Sequence, residues 1–171
     1  MTTQDTDAYH VWIGGSCDYG HKERAGGAAV VIERNGNIIG RDVISGLHTT
    51  EFRMMLTLMA KVMHELEAGS DILFLTNAAY IQNFDKAPTS QPAHQTSRES
   101  KDAMPAEPQG RKARANSDLI QLCIEEKERH SSVGTKIVQY HKSPLLQETH
   151  DMATEAMAKA RRDFHYAART R

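Results

Sequence analysis

The stretch AAVVIERNGNIIGRDVIS, from Ala28 to Ser45, contains two strands and the turn that joins them. Apolar and largely β-branched residues run from Ala28 to Glu33 and again from Ile38 to Ser45, as is typical of strands. The intervening residues are Arg34-Asn35-Gly36-Asn37, and Asn-Gly tolerates the positive φ angles that a tight hairpin requires. The sequence therefore predicts an antiparallel pair of strands here.

A further strand is predicted before this hairpin. The segment YHVWIGGSC, from Tyr9 to Cys17, combines three large apolar residues with a glycine-rich end. The adjacent glycines Gly14 and Gly15 favour a turn or a close approach of another backbone segment. The chain is therefore predicted to open with three antiparallel strands.

A helix and a buried strand are predicted after the hairpin. The helix starts at Thr49-Thr50-Glu51 and runs to about Leu66. Its apolar residues recur at spacings of three and four and define one face: Phe52, Met55, Leu56, Met59 and Met63. Asp71 to Thr76 (DILFLT) is a near-continuous apolar run, typical of a parallel strand covered on both faces. A short helical turn is predicted from Asn77 to about Asn83.

The segment from Asp85 to Asp118 has a different composition. It lacks Val, Ile, Leu, Phe, Trp and Tyr, and it holds four of the five prolines. Such a segment cannot bury enough apolar area to offset the entropy of ordering it. We therefore predict that residues 86–115 form a mobile Pro/Ser/Gln-rich insert, with a net charge of about +3 from its side chains.

Regular structure is predicted to resume after the insert. We expect a helix from Ser117 to about His130, a strand from Thr135 to Tyr140 and a helix from about Leu146 to Tyr166. With a basic end at residues 161–171, the whole chain, residues 1–171, is interpreted as one domain. Three antiparallel strands followed by strands reached through helices predict an α/β fold with a mixed sheet flanked by helices.

Composition excludes several classes of protein. The formal net charge of the 171 residues is −1, which argues against an overall basic nucleic-acid binder but permits local basic patches. Cys17 and Cys123 cannot form a disulfide framework or a zinc motif, so we expect a reducing compartment such as the cytoplasm. The polar start predicts no signal peptide. No apolar run approaches the roughly 20 residues of a membrane span, so no membrane partner is expected.

Six fragments, in this order, resemble ribonuclease HI and the wider ribonuclease H-like superfamily over roughly Tyr9 to Ala160, outside the insert. WIGGSC resembles TDGSC, GGAAVVI resembles GGWGAVL, and TTEFRMMLTLMA resembles TTNNRMELMA. FLTNAAYI resembles LSTDSQYV, and NSDLIQLCIE resembles the helix that opens with NVDLW. VQYHKSPLLQETHDMATEAMA resembles the family's last strand and helix. The resemblance implies the ribonuclease H-like fold with a five-stranded mixed sheet, of which three strands are antiparallel and two parallel.

The resemblance also implies where a catalytic site would lie. In the family, four carboxylates hold two Mg²⁺ ions that promote hydrolysis of RNA in an RNA–DNA hybrid. The first acid falls on Gly14, which has no side chain, and the third falls on Asn77, a neutral amide. The second falls on Met55, whose thioether is a poor magnesium ligand. We therefore expect a pseudoenzyme without a metal site and without a cofactor.

The fourth acidic position has two candidates. His141 matches the family's mobile catalytic histidine, and an ungapped alignment from it places Asp151 on the last aspartate. A shifted alignment places Thr154 there instead. Glu51 lies one helical turn before Met55, about 6 Å away. Glu51, Asp151, Asn77 and His141 could together hold one cation, which leaves a residual metal-dependent ribonuclease as a third hypothesis.

Each of these residues also has an interpretation without any function. Met55 continues the apolar face of its helix and is expected to be a core residue. Asn77 could cap the short helix that follows the fourth strand. Gly14 could serve close packing or a turn alone. His141 and the His150-Asp151 pair look like a site, but they could be ordinary surface residues.

Residues that contact the hybrid in the family are also altered. Glu51 and Phe52 replace its paired asparagines, and Glu51 would repel a phosphate. Candidate nucleic-acid-binding residues remain on the first helix, in the insert and in the last helix, although a charged helix end can simply be solvated: Thr49, Thr50, Arg53, Arg111, Lys112, Arg114, Lys159, Arg161 and Arg162. The loop after His141 carries Leu145 and Leu146, which we interpret as a contact for a protein partner.

Two hypotheses follow from these observations. The first, slightly favoured, is a non-catalytic module that binds a protein partner as a subunit or regulator of a larger nucleoprotein assembly. The second is a non-catalytic binder of RNA–DNA hybrid or structured RNA, because the loss of up to three acids lets a groove accept phosphates without Mg²⁺.

Overall fold

The computed structural model describes residues 7–20, 22–82 and 116–170, with side chains through residue 163. The predicted insert, residues 86–115, lies outside the described residues. The same holds for three candidate nucleic-acid contacts within it, Arg111, Lys112 and Arg114.

Five strands form one mixed sheet in the order β3-β2-β1-β4-β5. The neighbours β1–β2 and β2–β3 are antiparallel, whereas β1–β4 and β4–β5 are parallel. The predicted fold class is therefore confirmed. The strands are β1 (Tyr9–Cys17), β2 (Gly26–Arg34), β3 (Asn37–Gly46), β4 (Asp71–Thr76) and β5 (Ser132–Ile137).

The hairpin between β2 and β3 has the turn that its sequence predicts. Asn35 and Gly36 have φ angles of 55° and 80°, as a two-residue hairpin loop with Asn-Gly requires. The register shifts between Ile32 and Glu33, where a bulge interrupts the ladder. Strand β3 forms an edge of the sheet.

Helix α1 (Glu51–Glu65) packs against one face of the sheet. Thr50 is its N-cap, and its side chain accepts a hydrogen bond from the backbone N–H of Arg53. The buried face of α1 contributes seven residues to the core: Met55, Leu56, Leu58, Met59, Ala60, Val62 and Met63. Four of the five residues predicted for this face are therefore buried, whereas Phe52 is only half-buried.

Two further helices complete the layers. Helix α2 (Ser117–Lys127) packs beside α1, and helix α3 (Pro144–Thr170) crosses β1 and β2. Gly14 faces α3 and the next residue, Gly15, faces α1. Because successive residues of a strand point to opposite faces, α1 and α3 cover opposite faces of the sheet.

The predicted limits of the last strand are wrong. The prediction was Thr135–Tyr140, but β5 spans Ser132–Ile137. It pairs residue for residue with the six residues of β4, from Asp71 to Thr76, so the partner strand sets its length. Tyr140 instead begins a 3-10 helix, Tyr140–Lys142.

Predicted boundaries of the helices also moved, including the end of α3, which lies at Thr170 rather than near Tyr166. Helix α2 ends at Lys127 rather than near His130, and the predicted turn after β4 is a 3-10 helix, Ala79–Ile81. Helix α3 begins two residues earlier than predicted, at Pro144. Proline is favoured in a first helical turn because its missing N–H has no intrahelical partner there.

Two smaller observations bear on the excluded classes. Both cysteines are free thiols, Cys17 half-buried and Cys123 buried. Across the part of the chain that the structure describes, none of the helices has the length and apolarity needed to cross a bilayer.

Candidate functional site

Gly14 lies where α3 comes closest to β1. A Cβ atom at this position would lie 2.5 Å from Oγ1 of Thr149 and 3.1 Å from Cδ2 of His150. Thr149 is fully buried, and its hydroxyl donates a hydrogen bond of 2.6 Å to the carbonyl of Leu146. Helix α3 thus fills the volume that an aspartate side chain at position 14 would occupy.

Met55, at the position of the family's second acid, packs against the opposite face of β1. Its side chain is fully buried, in the main core cluster. A Cβ atom at Gly15 would lie 3.0 Å from Sδ of Met55 and 2.9 Å from Cγ of Glu51. The interpretation of Met55 as a core residue is therefore confirmed.

Asn77 binds a histidine and does not cap a helix. Its Oδ1 lies 3.0 Å from Nε2 of His150, so the imidazole N–H donates to the amide oxygen. The 3-10 helix that follows has Ala78 as its N-cap, without a side-chain hydrogen bond. The cap interpretation of Asn77 is wrong because Thr76 accepts from the N–H of Ala78 instead.

His150 lies beside Asp151, one of the two candidates for the fourth acidic position. It contacts both the Gly14 and the Asn77 positions. Asp151 is exposed, and Thr154 is directed to the hydroxyl of Ser16 at 3.3 Å. Neighbouring residues of a helix point about 100° apart. Asp151, which the ungapped alignment selects, therefore lies about 100° around the helix axis from His150.

Burial dominates the electrostatics of His150. It lowers the pKa of this histidine, while the negative charge of Glu51, a hydrogen bond to the Gly15 backbone and the charge of Asp151 act in the opposite direction. A charged group is destabilised by removal from water. The imidazole is therefore neutral at pH 7, and it acts as a hydrogen-bonding ring rather than as a cation.

Aromatic and imidazole rings surround Glu51. The Tyr19 hydroxyl accepts from the Glu51 backbone N–H at 3.2 Å. The pKa of Tyr80 is raised, mainly by burial. The negative charge of Glu51 and a hydrogen bond to Glu51 raise it further. The rings of Phe52 and Tyr80 meet edge to face at 5.1 Å.

The rings of Tyr140 and His150 also meet edge to face, at 5.2 Å, and Tyr140 contacts the ring of His141 at 5.7 Å. Tyr140 and His141 thus extend the group of rings from His150 into the 3-10 helix after β5. We name this group the ring cluster: Tyr19, Phe52, Tyr80, Tyr140, His141 and His150.

These residues do not fit a pair of magnesium ions. Magnesium requires several oxygen ligands in near-octahedral geometry. Three of the positions that would supply them carry a glycine, a buried thioether and an amide, and the fourth has Asp151 or Thr154 as its candidate. Among the described residues, no three His, Cys, Asp or Glu side chains converge so as to hold a metal ion.

Solved structures share this arrangement of strands and helices. A crystal structure of LC9-RNase H1, a type 1 RNase H with the type 2 active-site motif, matches with a TM-score of 0.65 and 21% sequence identity. The match covers 91% of this chain and 74% of that chain. The chain has a ribonuclease H-like fold. No protein-family model matches the sequence, and no curated protein matches it.

The candidate phosphate contacts on α1 already have partners within the fold. Thr49 is buried, and Thr50 caps the helix. Arg53 forms an ion pair with Asp118 at 3.1 Å and donates to Asn116 at 3.1 Å. Arg53 thus joins the start of α1 to the start of α2, and the burial of Thr49 contradicts its prediction as a phosphate contact.

The basic residues of α3 differ from one another. Arg161 pairs with Asp18 at the end of β1, which neutralises its charge locally. Lys159 and Arg162 are exposed. Of the three candidates, these two therefore remain available to a phosphate.

Of the two residues predicted to contact a protein partner, Leu145 and Leu146, only one is accessible. Leu146 is fully buried in the first turn of α3, whereas Leu145 is half-buried. The expectation for Leu146 is wrong because it lies on the same face as Thr149 and Ala153, which packs on the sheet. A partner can reach Leu145 alone.

Sequence reasoning missed several residues of this site. Thr149, Tyr19, Tyr80 and Tyr140 were not singled out as site residues, and His150 was considered only together with Asp151. The spacing of Leu146, Thr149 and Ala153 gave the only available signal, because residues three and four apart share a helix face. That spacing places His150 beside the buried face and Asp151 away from it.

Proposed function

We propose that this chain is a non-catalytic ribonuclease H-like domain that binds nucleic acid without metal ions. One observation carries the proposal. Helix α3 fills the space at Gly14, and Asn77, an amide where the family has an acid, binds the imidazole of His150. Two-metal hydrolysis depends on carboxylates at these places.

Loss of these acids changes what the groove can bind. A cluster of carboxylates without its metal ions repels phosphates, and three acids fewer remove about three negative charges. The ring cluster and the amide of Asn77 favour a nucleic-acid ligand at this surface, and Lys159 and Arg162 are exposed cations further along α3. RNA–DNA hybrid and structured RNA are the ligands that the fold of RNase H relatives suggests.

A binding assay over a salt titration, without Mg²⁺, tests this proposal. Fluorescence polarisation should detect RNA–DNA hybrid or RNA at about 50 mM salt, with affinity that falls as salt increases. EDTA should leave the affinity unchanged. Absence of binding at low salt to hybrid, RNA and DNA alike would reject the nucleic-acid role.

A cleavage assay with Mg²⁺ and Mn²⁺ tests the non-catalytic part separately. We expect uncut hybrid after long incubation. Cleavage that Asp151→Ala abolishes would show a working metal site and would overturn the proposal, in favour of the residual ribonuclease.

A protein-binding module is the second candidate. Its support is the edge strand β3, where Ile39 and Val43 are 55% and 41% exposed. Both belong to a strand whose outer edge has no strand partner among the described residues. Exposed edges with apolar side chains are typical sites of strand addition by another chain. Ile39→Lys should abolish such binding and leave nucleic-acid affinity unchanged.

A further inference from the structure

Tyrosines are concentrated around one point of the surface. The chain has five tyrosines, and Tyr19, Tyr80 and Tyr140 all belong to the ring cluster. Tyr19 is 60% exposed and Tyr80 is 44% exposed, whereas Tyr9 lies in the core. A group of aromatic side chains that stay exposed to water is typical of a binding site. Exposed apolar groups are otherwise scattered over a protein surface.

The fold holds these exposed rings in fixed orientations. Tyr19 is attached through its hydroxyl to the backbone N–H of Glu51. Tyr80 is held between the charge of Glu51 and the edge of the Phe52 ring. A ring that is already ordered loses little conformational entropy when a ligand stacks on it.

The polar groups among the rings suit the edge of a base better than a phosphate. Glu51 is the acidic side chain at the centre of the cluster, and a carboxylate without a cation repels phosphate oxygens. The same carboxylate can accept hydrogen bonds from the amino or imino groups of a base. Asn77 and His150 add further hydrogen-bonding groups beside it.

Cationic side chains lie in the segments that flank the cluster. Lys22 and Arg24 are exposed in the loop after Tyr19, and Lys142 is exposed beside His141. Phosphates on either side of a bound base can contact these cations while the base itself avoids water. The arrangement is the one expected for a single strand, since a base within a duplex presents no free face for stacking.

We propose that the ring cluster binds unstacked bases of a single-stranded nucleic acid, with Tyr19 and Tyr80 as stacking surfaces and Glu51 as an acceptor for a base edge. This inference rests on the proposed nucleic-acid function and narrows its ligand from duplex to single strand.

A comparison of two oligonucleotides tests it without altering the protein. The first is a fluorescein-labelled decamer of uridine, and the second is the same decamer with four abasic central positions. In Mg²⁺-free buffer at about 50 mM salt we expect the abasic decamer to bind more weakly by roughly fivefold to a hundredfold, since each stacked base contributes appreciably. Equal affinity for both decamers would overturn the inference.

Variants of Tyr19, the most exposed ring of the cluster, test whether the difference in affinity between the decamers arises at this site. Tyr19→Ala should lower affinity for the intact decamer by a similar factor and leave the abasic decamer unaffected. Tyr19→Phe should lose less affinity than Tyr19→Ala, because the ring remains although the hydroxyl that holds it is removed, and Ile39→Ala is a control at an exposed site on β3. Equal losses for both decamers in Tyr19→Ala, or no loss for either, would overturn the inference.

The remaining outcomes separate the two proposals. If hybrid duplex and the abasic decamer bind as well as the intact decamer, the nucleic-acid role stands and the stacking site is wrong. If none of them binds at low salt, both proposals are wrong.

Discussion

The two faces of strand β1 are covered in different ways. On one face, Val11 and Ile13 meet the large apolar side chains of α1, including Met55. On the other face, Gly14 meets Thr149 and His150 of α3 at distances that leave no room for a Cβ atom. The α1 face of β1 is covered by apolar side chains. The α3 face is covered by a helix that packs directly against the strand backbone.

This difference shows that two candidate acid positions are closed for different physical reasons. Position 55 lies inside an apolar core, where a carboxylate would be charged, buried and unpaired. Position 14 lies under a helix, where any side chain would be obstructed. Substitution by an acid on the α1 face is therefore opposed by the desolvation of its charge. Substitution on the α3 face is opposed by steric contact with the helix.

The largest expected effect is that of Met55→Glu. The variant places a carboxylate at a fully buried position, and an uncompensated buried charge costs about 3–5 kcal/mol of unfolding free energy. Urea denaturation measures this loss. Met55→Leu conserves volume and should cost less than about 1.5 kcal/mol. If Met55→Glu keeps wild-type stability, the α1 face is not closed as described.

Gly27→Ala tests the α3 face at a point where the backbone of α3 would obstruct a new side chain. A Cβ atom at Gly27 would lie 2.6 Å from the carbonyl oxygen of Ala153. A helix backbone cannot move aside locally, so we expect a loss of about 1–3 kcal/mol or more. Gly40→Ala is the matched control, because it has open space and no positive φ. Equal Tm values for the two variants would contradict a close approach of α3.

Gly14→Ala tests the same face where a side chain forms the obstruction. The nearest atom to the new methyl group is Oγ1 of Thr149. We expect a loss of about 1–2 kcal/mol, within the usual range for overpacking. The second change Thr149→Ala should recover part of it, which a double-mutant cycle measures. Strict additivity of the two losses would place the obstruction elsewhere.

The smallest effect concerns pH. Burial lowers the pKa of His150 in the folded chain relative to its ordinary value of 6.5. The unfolded chain therefore binds more protons below that pH, and stability falls as the pH falls. His150→Gln should reduce the decrease of Tm between pH 7.5 and pH 5.

Asn77→Asp provides a second variant for the same site. It places a carboxylate beside Nε2 of His150, which favours the imidazolium and should raise its pKa. An NMR titration of the His150 ring in both proteins measures the shift. A pKa of His150 at or above its ordinary value in the wild type would contradict a neutral buried imidazole.

The sequence predicted the fold well because each strand and helix carries its own local signal. Asn35-Gly36 determines a hairpin, and the spacing of Met55, Met59 and Met63 determines a helix with one apolar face. Strand β5 was misplaced because it is an edge strand with little apolar pattern. Its limits come from pairing with β4, which is not a property of its own residues.

The site was predicted only in part. The sequence alone shows that Gly14, Met55 and Asn77 are not acids. It could not show that Arg53 is already paired with Asp118, or that Leu146 is buried, because both facts depend on residues distant in sequence.

The sequence by itself determined the order of strands and helices, the hairpin register near Asn35 and the chemical identity at three acid positions. The tertiary structure alone decided which residue of α3 reaches Gly14, and it placed Tyr19 and Tyr80 beside Glu51 and Tyr140 beside His150. The physical reason is that local signals depend on neighbouring residues, whereas the rotation of a helix about its axis and the grouping of rings depend on packing between distant segments. A rotation of about 100° separates His150 from Asp151, and only the packing of α3 on the sheet fixes it.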